Sequence, residues 1–243
     1  KISGKAVLVA MGHAFFTLSL GMGAIMVYGS YLPKKTSITQ AAFMIVIADT
    51  AVALLAGLAI FPIVFANGLE PDKGPGLIFH TLPIAFGHME GGTLIGVSFF
   101  VLLVFAAWTS AISLIEPAVA WLVENRGMKR VYASVWIGIL TWAVGLGSVF
   151  SFNIWQDKTW SVPYLFENAN FFDTLDFLTA NIMLPMGGLF IALFAGWMMR
   201  ESTSRNEFVT WPFVYRGWHF LVRYVTPVAV LIVFLNAIGV IKF

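Results

Sequence analysis

The sequence predicts an all-α integral membrane protein of six transmembrane helices, the first unwound near Ser19–Gly23, and three observations carry that prediction. Of its 243 residues, 59% are hydrophobic and 11% charged, with a mean hydropathy of +0.87, against roughly 25% charged in a soluble domain. Six apolar segments, 6–32, 39–66, 93–123, 131–152, 173–199 and 219–241, each reach the ~20 residues a helix needs to cross the hydrocarbon core. The alternating pattern of an outer-membrane barrel is absent. The whole chain, 1–243, therefore reads as one transmembrane domain.

Segment 6–32 is the most informative element. Its middle, Ser19-Leu20-Gly21-Met22-Gly23, weakens the backbone ladder where no water can repair it. Such a break survives only where the freed carbonyls and amides line a cavity or hold an ion. Segment 39–66 carries Asp49 among apolar residues, with no Lys or Arg in reach on its own helix. A lone carboxylate there needs a proton, a partner from elsewhere or a bound cation. Connection 67–92 is rich in Gly and Pro yet carries Leu77, Ile78, Phe79 and Phe86. It is expected to form a short helical pair, punctuated by Pro83 and Gly87, acting as an outer lid or packing on the rim.

Segment 93–123 holds Ala106, Thr109 and Ser110, whose spacing converges one carbonyl and two hydroxyls on one side of a helix. Hard oxygens of this kind suit an alkali or alkaline-earth cation, although Ser and Thr in membrane helices commonly bond back to their own backbone. Glu116-Pro117, lower on the same helix, reads as a bundle hydrogen-bond partner at a kink. Between segments 131–152 and 173–199, the loop 155–170 carries Trp155, Trp160, Tyr164 and Phe166, expected as an interfacial aromatic belt.

Charge sets the orientation. Nine of the 14 Lys and Arg (Lys34, Lys35, Arg126, Lys129, Arg130, Arg200, Arg205, Arg216, Arg223) fall in the three inner loops if the first segment runs inward. Both ends of the chain are then expected to face outward. The net charge of +2 follows from this loop bias, and no nucleic-acid partner is expected. The absence of cysteine removes disulfides and thiolate chemistry. The chain opens on Lys1, which suggests a start inside a longer protein.

The run 15–24, Phe-Phe-Thr-Leu-Ser-Leu-Gly-Met-Gly-Ala, followed by Tyr28-Gly29-Ser30-Tyr31, resembles the sixth helix of the neurotransmitter:sodium symporter family, whose bacterial members carry amino acids. Asp49, Ala56-Gly57, Thr109-Ser110, Glu116-Pro117 and Leu175-Asp176-Phe177 follow in family order. The six spans are similar to helices six to eleven of an eleven-helix bacterial subgroup, the second inverted repeat of a leucine-transporter-like bundle plus one extra helix.

The resemblance implies two sodium sites. Thr17 and Asp49 would contribute to site one; the Ala106 carbonyl with Thr109 and Ser110 would contribute to site two, each completed by the missing first helix. The ammonium group of an amino-acid substrate would meet the carbonyls of Phe16 and Thr17 and the Ser19 hydroxyl. Its side chain would lie among Phe16, Met22, Ala111 and Leu114, close to Ser110. Gates are implied at Phe16 and Asp176 outside and at Glu124, near Ser30 and Tyr31, inside. Where chloride-dependent members have Asn, Ser and Gln, this chain has Asp49, Ala53 and His13, so no chloride requirement is expected.

The resulting expectation is sodium-coupled symport of an apolar or aromatic amino acid by alternating access in the inner (plasma) membrane. The lipid bilayer and the missing helices one to five are the partners. The alternatives are a proton-coupled transporter using His13, Asp49 and Glu116, or a non-transporting truncated fragment. An enzyme ranks last, for neither His-Glu-x-x-His nor Gly-x-Ser-x-Gly occurs.

Overall fold

Two helices and a break occupy the first apolar stretch. The computed structural model describes residues 4–33, 35–68, 76–162, 166–208 and 212–241. Helix α1 covers Gly4–Thr17 and α2 Ala24–Ser30, neither alone long enough to cross a bilayer. Five continuous helical spans follow: Ile38–Ala66 (α3), Gly92–Arg126 (α5), Arg130–Ser151 (α6), Phe171–Met198 and Val214–Ala237, with mean hydropathies between 1.7 and 2.4. The expected all-α membrane architecture is present, and the stretch expected as the first span holds the short helices α1 and α2. By packing, the chain divides into two compact units, Phe43–Ser113 and the remainder, Lys1–Ala42 with Leu114–Phe243.

Within unit Phe43–Ser113, the described residues of the connection after α3 include one short helix, Leu77–Gly87. A π-helical turn, Leu77–Thr81, runs directly into α4, Leu82–Gly87, and residues 69–75 of the expected lid lie outside the described residues. Pro83 is the second residue of α4, directly after the π-helical turn. Val64, Leu82 and Phe86 form a buried cluster with Ile60, Ile63, Leu77, Met89 and Phe99 packed around it. The apolar residues of this connection therefore cover the ends of α3 and α5.

Gly127, left-handed at φ 65, ends α5 with its amide on the Val123 carbonyl at 3.1 Å. After α6 the chain makes a two-stranded antiparallel ribbon, β1 (Trp160–Val162) with β2 (Phe166–Ala169), pairing Trp160 with Ala169 and Val162 with Phe166. The all-α reading did not foresee it. Tyr164 lies outside the described residues, whereas Trp155 packs edge-on against Phe150 and Phe171.

Helix α7 (Phe171–Asp176) starts on a capping box between Asn170 and Asp173. The buried Ser151 hydroxyl accepts the Phe172 amide at 3.1 Å and donates to the Gly147 carbonyl at 2.9 Å. A π-helical turn (Phe177–Met183), α8 (Leu184–Leu193) and a second π-helical turn (Phe194–Met198) complete that span. Helix α9 (Glu201–Asn206) leads to α10 (Pro212–Phe220), a π-helical turn (Leu221–Val225) and α11 (Thr226–Ala237).

Candidate functional site

The break between α1 and α2 is a specific backbone path. Ser19 (φ 53), Gly21 (φ 82) and Gly23 (φ 82) are all left-handed, a conformation glycine adopts freely and other residues rarely. The amides of Leu18, Ser19 and Leu20 fold back onto the carbonyls of Ala14, Phe16 and Phe15 at 3.1, 3.0 and 2.9 Å. After them the ladder stops. Among the described residues, the carbonyls of Leu18, Ser19, Leu20, Gly21 and Met22 accept no backbone hydrogen bond, and pairing resumes where Val27 donates to Gly23 at 3.0 Å. Backbone oxygens are thus left available halfway along an apolar stretch, the arrangement that an ion or a zwitterion requires.

This segment stands against α8. A Cβ on Gly21 would overlap the Leu184 carbonyl oxygen and lie 2.9 Å from the Gly188 nitrogen. One on Gly187 would overlap the Gly21 carbonyl oxygen and lie 3.3 Å from the Gly21 Cα. At its other end Gly23 faces Pro117, where a Cβ would make an ordinary 3.8 Å contact. Of the expected substrate residues, Phe16 is 56% exposed, Thr17 is the exposed last residue of α1, and Ser19 and Met22 are half-buried. Ala111 and Leu114 lie exposed on α5, and His13 is exposed on α1.

The oxygen set expected for sodium site two lies on one stretch of α5. The Thr109 hydroxyl is 3.0 Å from both the Phe105 and the Ala106 carbonyls, and Ser113 donates to the Thr109 carbonyl at 3.0 Å. Thr109 therefore does bond back to its own helix, and the same bond holds its oxygen beside that of Ala106. With the hydroxyl proton on a carbonyl, the Thr109 oxygen keeps its lone pairs for a ligand. Ser110 is exposed next to it. Neutral hard oxygens fit a monovalent cation, and among the described residues no three His, Cys, Asp or Glu gather to hold a different metal. Asp49 sits half-buried in the middle of α3.

The residues expected at the gates lie at helix ends. Asp176 is the exposed last residue of α7, at the start of the π-helical turn, and Glu124 is exposed in the last turn of α5. Tyr31 has a partner the sequence did not indicate. Its hydroxyl donates to Glu116 Oε1 at 2.7 Å, and Arg130 Nη2 donates to Oε1 and Oε2 of the same carboxylate at 2.5 and 2.7 Å. Glu116 is only 6% exposed, so both donors replace the water that burial removes. The residue missed was Arg130, counted only as a loop cation. Its position was the available signal, because a cation at a helix N-terminus opposes the helix dipole and calls for an acid.

Residues 2–242 match the model of the sodium:neurotransmitter symporter family. The chain is 39% identical over 246 residues to an uncharacterized sodium-dependent transporter, YhdH, of Bacillus subtilis (strain 168), covering 100% of this chain and 53% of that protein. A relative in Haemophilus influenzae, also an uncharacterized sodium-dependent transporter, is 31% identical, with coverage of 97% and 51%. MhsT, crystallised in complex with L-phenylalanine, superposes with a TM-score of 0.85 at 40% identity, over 96% of this chain and 52% of MhsT. The chain thus spans about half the length of the relatives it matches.

Proposed function

This chain belongs to the sodium:neurotransmitter symporter family, a family of transporters and not of enzymes, and we propose that it serves chloride-independent, sodium-coupled symport of an apolar or aromatic amino acid. It would do so with the counterpart of the half of its relatives that it does not span, in the inner (plasma) membrane with both ends outward. The observation that carries the reading is the break at residues 18–22, where, among the described residues, five successive carbonyls accept no backbone N–H. The substrate ammonium meets the backbone of Phe16 and Thr17 and the Ser19 hydroxyl. Its apolar side chain lies toward Phe16, Met22, Ser110, Ala111 and Leu114. That L-phenylalanine is bound by a relative 40% identical to this chain supports the aromatic end of this range. Met22 adds an adaptable wall.

Sodium site one takes Thr17 and Asp49; site two takes the Ala106 carbonyl with Thr109 and Ser110. Asp49 supplies next to the first ion the negative charge that a chloride would otherwise bring, hence chloride independence. Sodium and the substrate carboxylate, sharing site one, raise each other's affinity reciprocally, by about 5- to 150-fold in typical coupled systems. Phe16 and Asp176 close the outer side. Glu124 and the linked Tyr31, Glu116 and Arg130 close the inner side. Alternating access then exchanges one closure for the other.

Uptake by proteoliposomes holding this chain together with that counterpart tests this directly. Replacing external sodium by choline at fixed pH gradient is expected to lower initial L-phenylalanine uptake at least tenfold, and replacing chloride by gluconate to change it less than twofold. Uptake that persists in choline and follows the pH gradient would overturn sodium coupling. Loss in gluconate would overturn the role given to Asp49.

A further inference from the structure

We infer that Gly187 and Gly188 are positioning residues for the transported amino acid: they set where the broken segment stands, and so where its free carbonyls point. The inference rests on the transport reading above and adds to it a part of the chain to which that reading gives no ligand contact. Two adjacent glycines inside a helix need an explanation, since glycine is the least favourable helix former after proline. A hinge is not that explanation in this structure, for α8 continues as regular helix from Leu184 to Leu193 through both of them.

What the glycines provide is close approach. The α-hydrogen that stands in place of a Gly187 side chain is directed at the Gly21 carbonyl oxygen, the geometry of a weak Cα–H···O contact. Reciprocally, the missing side chain of Gly21 makes room for the Leu184 carbonyl and the Gly188 amide. Backbone therefore lies on backbone, with no flexible side chain to absorb a displacement. One residue along, a Cβ on Gly188 would come within 2.5 Å of Phe15 Cε1. Phe15 immediately precedes Phe16 and Thr17, and its own carbonyl receives the Leu20 amide at 2.9 Å.

The two glycines thus hold the two edges of the break. Gly187 fixes the left-handed turn at Gly21, and Gly188 fixes the end of α1. The difference between them gives the test its discrimination. The methyl group introduced by Gly187→Ala would strike a carbonyl oxygen that no neighbouring substitution can move. The one introduced by Gly188→Ala would strike the far edge of a side chain that a smaller residue can vacate.

The experiment measures KM and maximal rate of sodium-driven L-phenylalanine uptake, with the counterpart of the unspanned half present, for wild type, G187A, G188A and F15L/G188A, with G138A as the control because a Cβ there meets nothing within 4 Å. G187A is expected to raise KM at least tenfold and G188A three- to tenfold. F15L should return G188A to within twofold of wild type, and G138A should leave KM unchanged. A merely structural role would lower the amount of folded protein and the maximal rate at constant KM, and F15L would rescue no KM. A G187A KM within twofold of wild type overturns the inference.

A readout independent of transport separates this outcome from failure of the transport reading itself. Because the chain has no cysteine, M22C provides a single thiol on the broken segment. G187A is expected to change its labelling rate by a maleimide at least threefold whether or not the protein transports. An unchanged rate overturns the seating role, whereas a changed rate without sodium-driven uptake overturns only the transport reading.

Discussion

Residues 6–32 and helix α3 are alike in composition and opposite in structure. Both are long and apolar, both contain glycine, and α3 carries Pro62 as well. Yet α3 runs unbroken for 29 residues while the first stretch stops at Thr17 and restarts at Ala24. Gly57 and Pro62 each weaken one place in a ladder that neighbouring turns keep in register. In the first stretch, Ser19, Gly21 and Gly23 take left-handed backbone at alternate positions, so no turn of helix survives between them. The break also has a counter-surface in α8, whereas at Gly57 of α3, among the described residues, a Cβ would meet only Phe61 of the same helix, at 3.7 Å. Glycine permits a break; closely spaced left-handed residues with a docking surface produce one.

The strongest way to attack this comparison is Gly21→Ala. A methyl group there combines a left-handed backbone, which costs an L-residue roughly 1–2 kcal/mol, with overlap on the Leu184 carbonyl. Initial uptake per reconstituted protein is expected to fall at least 100-fold. Near-normal uptake by G21A would mean that the path through residues 19–23 has no part in transport.

The helices were legible in the sequence to within a few residues because hydrocarbon thickness dictates their length. Segment 39–66 corresponds to Ile38–Ala66, 93–123 to Gly92–Arg126 and 131–152 to Arg130–Ser151. The break was legible for a similar reason, since its cause is local: residues 19, 21 and 23 sit together in the chain. Features created by distant partners were hidden. Arg130 looked like one more inner cation until α6 brought it to Glu116, fourteen positions earlier. Tyr31, expected near Glu124, also bonds to Glu116. The glycine pair of α8 gave no sign in sequence that it faces Gly21. The ribbon at 160–169 was unseen because its two strands are too short for an alternating pattern to register.

An intermediate effect is expected at the Glu116 cluster, which tests whether a long-range contact matters as much as the local break. Glu116→Gln keeps an acceptor for the Tyr31 hydroxyl and removes the charge that holds Arg130. If the cluster keeps the inner side closed, A24C, at a position buried to 2% exposure, should react three- to tenfold faster with an impermeant maleimide in the E116Q background. Tyr31→Phe removes one donor and leaves the ion pair, so its effect should stay below threefold. Equal rates in all three backgrounds would reduce the cluster to a structural contact.

The smallest effect belongs to Gly57→Ala, the counterpart of G21A on the continuous helix. A methyl group at Gly57 would sit at ordinary van der Waals distance from Phe61, and alanine in a helix interior is favoured over glycine by roughly 0.5–1 kcal/mol. Uptake should remain within twofold of wild type, and the melting temperature of the purified protein should be unchanged or slightly raised. A loss comparable to that of G21A would show that α3 also leaves regular helical geometry at some point of the transport cycle. The contrast between the two stretches would then be one of state and not of structure, and Asp49, two turns before Gly57 on the same helix, would ride on a moving element and not on a fixed one.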